Sequence, residues 1–410
     1  MDRGSFPRWI ERVLNSGVSR NKVRLIFGAR QTGKSTLLRR LSRPQALFIN
    51  LQDRRQRLRF ERRPDELVKI LRARTKKRTR VLIDEIQKVP ALLDDIQLLY
   101  DENPRRYEFI LTGSSARKLR SCAANLLPGR LHQYHLFPLI SAERKRPRPS
   151  HILPLKPDKG FSPGFAEAKI KDILIYGNLP GISQEKRESK AATLESYAEV
   201  YLEEEIRREA LVRNIGPFSR FLELAALESG QLINLTRLSQ RAAVPVATLR
   251  SFYQVLTETF IGYLLLPFTQ GARKRLLTTP IFYFFDLGVR NALARLPLNP
   301  QILKLQAGTL FQQWAVIELW HRCAYLGRGF GLYFWRAVSG AEVDIVLKTP
   351  REIIPIEVKW TEHPRQADAR HLICFLREYP HQAKRGFIIC RCPEPLEITQ
   401  QITAIPWQEV

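Results

Sequence analysis

Apolar residues along this chain alternate between two rhythms. Short apolar runs at 23–27, 46–51, 80–84 and 107–112 are bounded by glycine or polar residues and read as strands buried on both faces. Between them, near 34–42, 64–74 and 91–101, apolar positions recur at helical spacing. This alternation up to about residue 140 predicts an α/β unit with a parallel sheet. A proline- and charge-rich stretch, 143–163, breaks the rhythm and reads as a linker or insert. From 164 to 230 the pattern is helical, including the run Tyr197–Glu205.

Residues 231–300 change the pattern again. Leu235–Ala243 and Ala247–Leu256 read as two short helices joined by a Val244-Pro245 turn. An apolar strand at Gly262–Leu266, a basic tip at Arg273–Arg275 and a return strand at Ile281–Phe285 follow. That order predicts a winged-helix domain. Its second helix turns Thr248, Arg250, Ser251 and Gln254 either to a nucleic-acid groove or to a neighbouring subunit. The segment 301–410 opens with a helix at Gly308–Leu319 and continues in strands at Leu332–Trp335, Ala341–Leu347 and Ile353–Lys359.

Composition narrows the partners. Sixty-seven Lys+Arg against 40 Asp+Glu give a formal charge of +27, an excess that points to a polyanion, most simply nucleic acid. The five cysteines are scattered, without C-x-x-C or zinc spacing. That predicts a reducing compartment and no structural metal. No apolar run approaches twenty residues and the first residues form no signal segment, so the expected location is cytoplasmic, without a membrane partner.

The chemistry begins after the first strand. Gly28-Ala-Arg-Gln-Thr-Gly33-Lys34-Ser35 fits G-x-x-x-x-G-K-[ST] between a strand and a helix. In such a loop Gly28, Arg30, Gln31, Thr32, Gly33, Lys34, Ser35 and Thr36 wrap the phosphates of ATP. Backbone N–H groups and Lys34 reach the phosphates, and Ser35 ligates Mg²⁺. Arg80–Glu85 is an apolar strand ending in two carboxylates. Asp84 is placed to hold the Mg²⁺ shell and Glu85 to polarise the attacking water. Phe109–Ser115 is a further strand ending in hydroxyls. Thr112, with Ser114 as the alternative, is expected to sense the γ-phosphate.

A second constellation lies near the other end. Period-two geometry puts Glu342 and Asp344 on one strand face, and Glu357 and Lys359 on one face of the next. Three carboxylates converging with a lysine could hold Mg²⁺ or Mn²⁺, with Lys359 beside an attacking water. The spacing D-x₁₂-E-x-K resembles the PD-(D/E)XK nuclease superfamily. Junction-cleaving members carry a helical Glu where this chain has Gln312, a neutral and weaker ligand. Glu318, six residues on, lies on another side of the helix.

Taken together, the motifs resemble the prokaryotic AAA+ ATPases that carry a C-terminal nuclease-like domain. The likeness runs through the P-loop, Leu82–Gln87, Leu111–Arg117, Pro128-Gly-Arg130, Gly177–Gly181, Tyr283–Gly288, Glu342–Asp344 and Ile356–Lys359. The resemblance implies five segments: a P-loop AAA+ core (1–142), the insert (143–163), a helical lid (164–230), a winged-helix domain (231–300) and a PD-(D/E)XK nuclease-like α/β domain (301–410). It also implies a homo-oligomeric ring, a hexamer, in which Arg130 or Arg117 reaches a neighbour's γ-phosphate. The expected function is a DNA-dependent motor on branched DNA such as Holliday junctions, with an attached nuclease. The alternative is an ATP-driven assembly switch whose last domain binds DNA or protein without cutting.

Overall fold

The computed structural model describes residues 6–15, 21–63, 65–74, 78–113, 129–153, 161–201, 215–269, 279–337 and 339–410. Ser114, Arg117 and the basic tip Arg273–Arg275 lie outside them. The chain divides into two compact units, Met1–Phe137 with Glu258–Phe260, and Pro138–Thr257 with Ile261–Val410. The segments expected as insert, lid, winged helix and C-terminal domain therefore share one packed body.

The first unit opens with a short helix, α1 (Ile10–Leu14), and is built on β1 (Val23–Phe27), β2 (Leu47–Asn50), β3 (Thr79–Asp84), β4 (Tyr107–Gly113) and β5 (Leu131–His135). All neighbouring pairs are parallel, in the order β2-β3-β4-β1-β5. Helices α2 (Lys34–Leu41), α3 (Arg54–Arg62), α4 (Glu66–Arg72) and α5 (Leu92–Glu102) connect these strands. Leu37, Leu38 and Leu41 bury one stripe of α2, while Leu67, Val68, Leu71, Leu93, Ile96 and Leu99 join the core from α4 and α5.

Two elements escaped the hydrophobic pattern. Helix α3 buries only Phe60 and is started by Asp53, whose carboxylate accepts from the Arg55 and Gln56 N–H groups. Strand β5 has an edge position and no fully buried residue. Charges also enter the sheet. Arg24 and Arg80, from β1 and β3, both donate to Glu108 on the intervening β4, which lets three ionised groups sit in the layer.

Among the described residues of the second unit the first helices include α6 (Ile170–Tyr176), α7 (Arg187–Ser196), α8 (Ile215–Leu227), α9 (Leu235–Ala242) and α10 (Val246–Glu258). The hairpin β6 (Gly262–Pro267) and β7 (Ile281–Phe284) follows. After α11 (Leu287–Leu293) and the long α12 (Gln301–Leu326) come β8 (Gly331–Arg336), β9 (Glu342–Lys348), β10 (Ile353–Val358), α13 (Arg370–Glu378), β11 (Gly386–Cys390), β12 (Leu396–Thr399) and β13 (Ile402–Pro406). One eight-stranded sheet runs β12-β13-β11-β10-β9-β8-β6-β7. The expected wing hairpin is thus continuous with the C-terminal sheet, through Leu266 and Pro267 beside Tyr333 and Phe334.

Local chemistry explains several motifs. Asp286 caps α11 through the Val289 N–H at 3.1 Å and accepts the Asn178 N–H at 2.6 Å. A Cβ on Gly177 would meet that carboxylate at 2.0 Å, and one on Gly288 would meet the Tyr176 carbonyl oxygen at 2.2 Å. The two glycine motifs therefore lock one helix end to another. Burial pushes the Asp286 carboxyl up to about 6, against backbone N–H groups that hold its charge. The insert is also anchored: Arg148 and His151 reach Glu409 at 3.1 and 2.8 Å.

Candidate functional site

The parallel order brings the first constellation to one sheet edge. The P-loop leaves β1, Asp84 ends β3, and β4 lies between them. Gly33 starts α2 with φ 94°, a left-handed conformation that glycine adopts without strain. A Cβ on Gly28 would come 2.4 Å from the Leu136 carbonyl oxygen, so the loop passes tightly against the segment leaving β5. Lys34 is buried and donates to the carbonyls of Gly28 and Ala29 at 2.8 and 3.0 Å. Thr32 is buried on the Ala29 carbonyl at 2.8 Å, Ser35 is half-buried, and Thr36 and Gln31 are exposed.

At the end of β3, Thr112 Oγ1 donates to Asp84 Oδ1 at 2.5 Å and accepts the Glu85 N–H at 3.2 Å. Thr112 is fully buried. Expected to sense the γ-phosphate, it is bonded here to the Asp84–Glu85 corner. Glu85 sits at φ 60°, and its carboxylate accepts Gln87 Nε2 at 2.5 Å. A non-glycine residue kept in that region marks a position fixed by its surroundings. Gln87 was not singled out by the sequence, because an amide two residues beyond a carboxylate carries no pattern of its own.

Arg130 stands at the other edge. Its carbonyl accepts the Val23 N–H at 2.9 Å, which places it at the start of β1. The five residues of β1 put the P-loop about 16 Å away at ~3.3 Å per residue. Its guanidinium donates to both oxygens of Asp101 at 2.6 and 3.1 Å. It therefore does not reach the P-loop of its own chain.

In the second unit, β9 and β10 are antiparallel with Ile345 opposite Ile356, so the next step of that register sets Asp344 against Glu357. Asp344 Oδ2 accepts the Val358 N–H at 2.8 Å and Oδ1 accepts Gln312 Nε2 at 2.7 Å. Lys359 Nζ donates to Glu357 Oε1 at 2.7 Å, while Glu357 Oε2 is buried without a hydrogen-bond partner. Burial first, and then the neighbouring Glu357 charge, raise the Asp344 carboxyl. Burial also raises Glu357, against its bond to Lys359. For Lys359, burial favours the neutral amine, but the Glu357 hydrogen bond and charge outweigh it and raise the pKa.

Glu342, expected as a third metal ligand, is half-exposed and pairs across the strands with Arg336 at 2.8 Å. Among the described residues no three His, Cys, Asp or Glu side chains gather at metal-binding spacing. The physical reason is local: β9 begins at Glu342, at the exposed strand end, where an adjacent arginine competes for it. Glu318 is buried on Arg322 at 2.7 Å and the Ser141 N–H at 2.9 Å, a structural pairing. On α10, Arg250, Ser251 and Gln254 are exposed and Thr248 is half-buried. Arg250 and Gln254 line a cavity of about 830 Å³ with Asn234, Thr236 and Leu264. No helix among the described residues is long and apolar enough to cross a membrane.

Comparison with known proteins matches three successive segments of the chain. Residues 20–144 match the family model described as an AAA domain, and an AAA-like ATPase domain is present. Residues 167–300 and 307–410 match two domains of unknown function, DUF8612 and DUF4143. Uncharacterized proteins Mb2031c of Mycobacterium bovis and Rv2008c of Mycobacterium tuberculosis are each 24% identical over 354 residues, 86% of this chain and 73% of theirs. A crystal structure of protein VC1899 from Vibrio cholerae aligns with 90% of this chain and 89% of its own at 12% identity. Its TM-score of 0.18 carries no argument about the fold.

Proposed function

We propose that the chain is a DNA-dependent AAA+ ATPase acting on branched DNA such as four-way junctions, assembled as a homo-oligomeric ring. The observation that carries the ATPase part is the Asp84–Glu85 corner, fixed by Thr112 and Gln87 on the strand edge that also bears the P-loop. Lys34 and the loop N–H groups would bind the phosphates, and Ser35 and Asp84 would hold Mg²⁺, whose charge would offset that of the transferred phosphoryl group. Glu85 orients the attacking water. Arg130, too far from its own P-loop, is assigned to a neighbouring subunit's site. The +27 charge supports a polyanionic partner.

For the second unit the reading is a winged-helix segment and a PD-(D/E)XK-like nuclease site. The unpartnered Glu357 Oε2 and the adjacent Asp344 are a donor set suited to a hard divalent cation. Lys359 then holds Glu357 and stands beside the nucleophile. The Gln312–Asp344 bond and the diversion of Glu342 to Arg336 favour a second reading: an ATP-driven assembly whose last domain grips DNA or protein without cutting.

Both readings are tested by offering duplex, forked and four-way DNA to wild type and Asp344→Asn, with Mg²⁺ or Mn²⁺ and with or without ATP. Cleavage of four-way DNA by wild type alone supports the nuclease. Binding and ATPase stimulation without cleavage support the gripping domain. Neither binding nor stimulation on any DNA removes nucleic acid as the partner.

A further inference from the structure

Residues ahead of the matched AAA segment take part in the nucleotide loop. Arg8 lies twelve positions before the family match begins at residue 20, and it is 4% exposed. Its Nη1 donates to the Thr32 carbonyl at 2.7 Å and its Nη2 to the Phe137 carbonyl at 2.7 Å. The Arg8 N–H is itself held by Glu11 Oε1 at 2.8 Å, and the same oxygen accepts Arg40 Nε from α2 at 2.8 Å. The segment is tied down once more where Arg24 Nη1 donates to the Leu14 carbonyl at 2.8 Å.

The position of the Thr32 contact is what matters. A trans peptide is planar, with its C=O and N–H pointing in opposite directions. Fixing the Thr32 carbonyl toward Arg8 therefore fixes the Gly33 N–H away from Arg8. Gly33 can rotate freely about that peptide because it has no side chain, and it already holds φ 94°. An unrestrained Thr32–Gly33 peptide could flip and turn a carbonyl oxygen toward an incoming phosphate. Arg8 removes that alternative, and its second arm braces against Phe137, beyond β5 and next to the Leu136 carbonyl that confines Gly28.

We propose that Arg8 is a positioning residue of the nucleotide site, holding the Thr32–Gly33 peptide so that its N–H faces the bound phosphates. Its guanidinium contacts at Thr32 and Phe137 are to backbone carbonyls, so Arg8 acts through the loop. This rests on the reading of the P-loop as an ATP site.

Binding of a fluorescent ATP analogue, measured for wild type, Arg8→Ala and Arg8→Lys, tests it, with thermal midpoints taken without nucleotide. A charge-assisted hydrogen bond of this kind corresponds to about 10- to 100-fold in affinity. Arg8→Ala should lose that much, Arg8→Lys should lose less, and free guanidinium at millimolar concentration should restore part of the loss where ammonium does not. Wild-type affinity in Arg8→Ala overturns the proposal. So does a loss that guanidinium leaves untouched and that follows a lowered thermal midpoint, since that is a structural role. Absence of binding by wild type overturns the ATP site and this proposal with it, while binding by wild type with unaffected variants removes Arg8 alone.

Discussion

Gln312 Nε2 lies 2.7 Å from Asp344 Oδ1, so a neutral amide from α12 occupies one oxygen of that buried carboxylate. A donor there quiets the charge of a buried acid; an acid there would need a cation between the two. Gln312→Glu should therefore destabilise the protein without metal, by about 1–3 kcal/mol from the lost hydrogen bond to a buried carboxylate. Added Mn²⁺ should recover thermal stability in the variant by more than it does in wild type. Equal Mn²⁺ responses of the two proteins in a thermal melt would show that this position does not face a cation site.

The Arg130–Asp101 pair sits about 16 Å along β1 from the P-loop, so any catalytic work by Arg130 must be done in another subunit. Arg130→Ala should lower ATP turnover by about 10³-fold or more, the range of a supplied arginine. Mixed with wild type, it should depress activity below simple dilution. Activity strictly proportional to the wild-type fraction, with a monomeric mass by light scattering, would exclude a shared site.

Acid should weaken the first unit through Glu108. Burial alone would raise its carboxyl, but hydrogen bonds from Arg80 and Arg24 and their charges hold it at about 2, below its ordinary 4.5. A carboxyl lowered on folding adds stability above its unfolded value and loses it as pH falls toward the folded value. Stability should thus decline between about pH 4.5 and 2, and Glu108→Gln should be less stable at neutral pH with a flatter decline over that window. Circular dichroism melts at stepped pH read this directly; an unchanged slope in the variant would mean that the triad contributes nothing to acid sensitivity.

Strands β1 to β4 and β6 to β10 and the two carboxylate motifs were legible because buried strands demand continuous or alternating apolar residues, whereas β5 and β11 to β13 were not read from the pattern. Helix α3 was hidden, since its arginine run leaves one buried position, Phe60, and its real start signal is a single Asp53. The Asp344–Glu357–Lys359 group could be placed by period-two spacing, but the loss of Glu342 to Arg336 depends on the register of β8 against β9. Arg8 had no motif to betray it, since its guanidinium reaches backbone carbonyls 24 and 129 positions away, and Gln87, although inside Leu82–Gln87, shows its role only through its bond to the Glu85 carboxylate.

The account stands most directly on ATP turnover measured with and without four-way DNA for wild type and Glu85→Gln. Wild type should hydrolyse ATP, faster with DNA present, and the acceleration should fade with salt as phosphate contacts are screened. Glu85→Gln should still bind nucleotide, because Lys34, Ser35 and Asp84 are intact, while turnover falls on the order of 10²-fold or more as water positioning is lost. Turnover by Glu85→Gln at the wild-type rate, or a wild-type rate indifferent to every DNA offered, would contradict it.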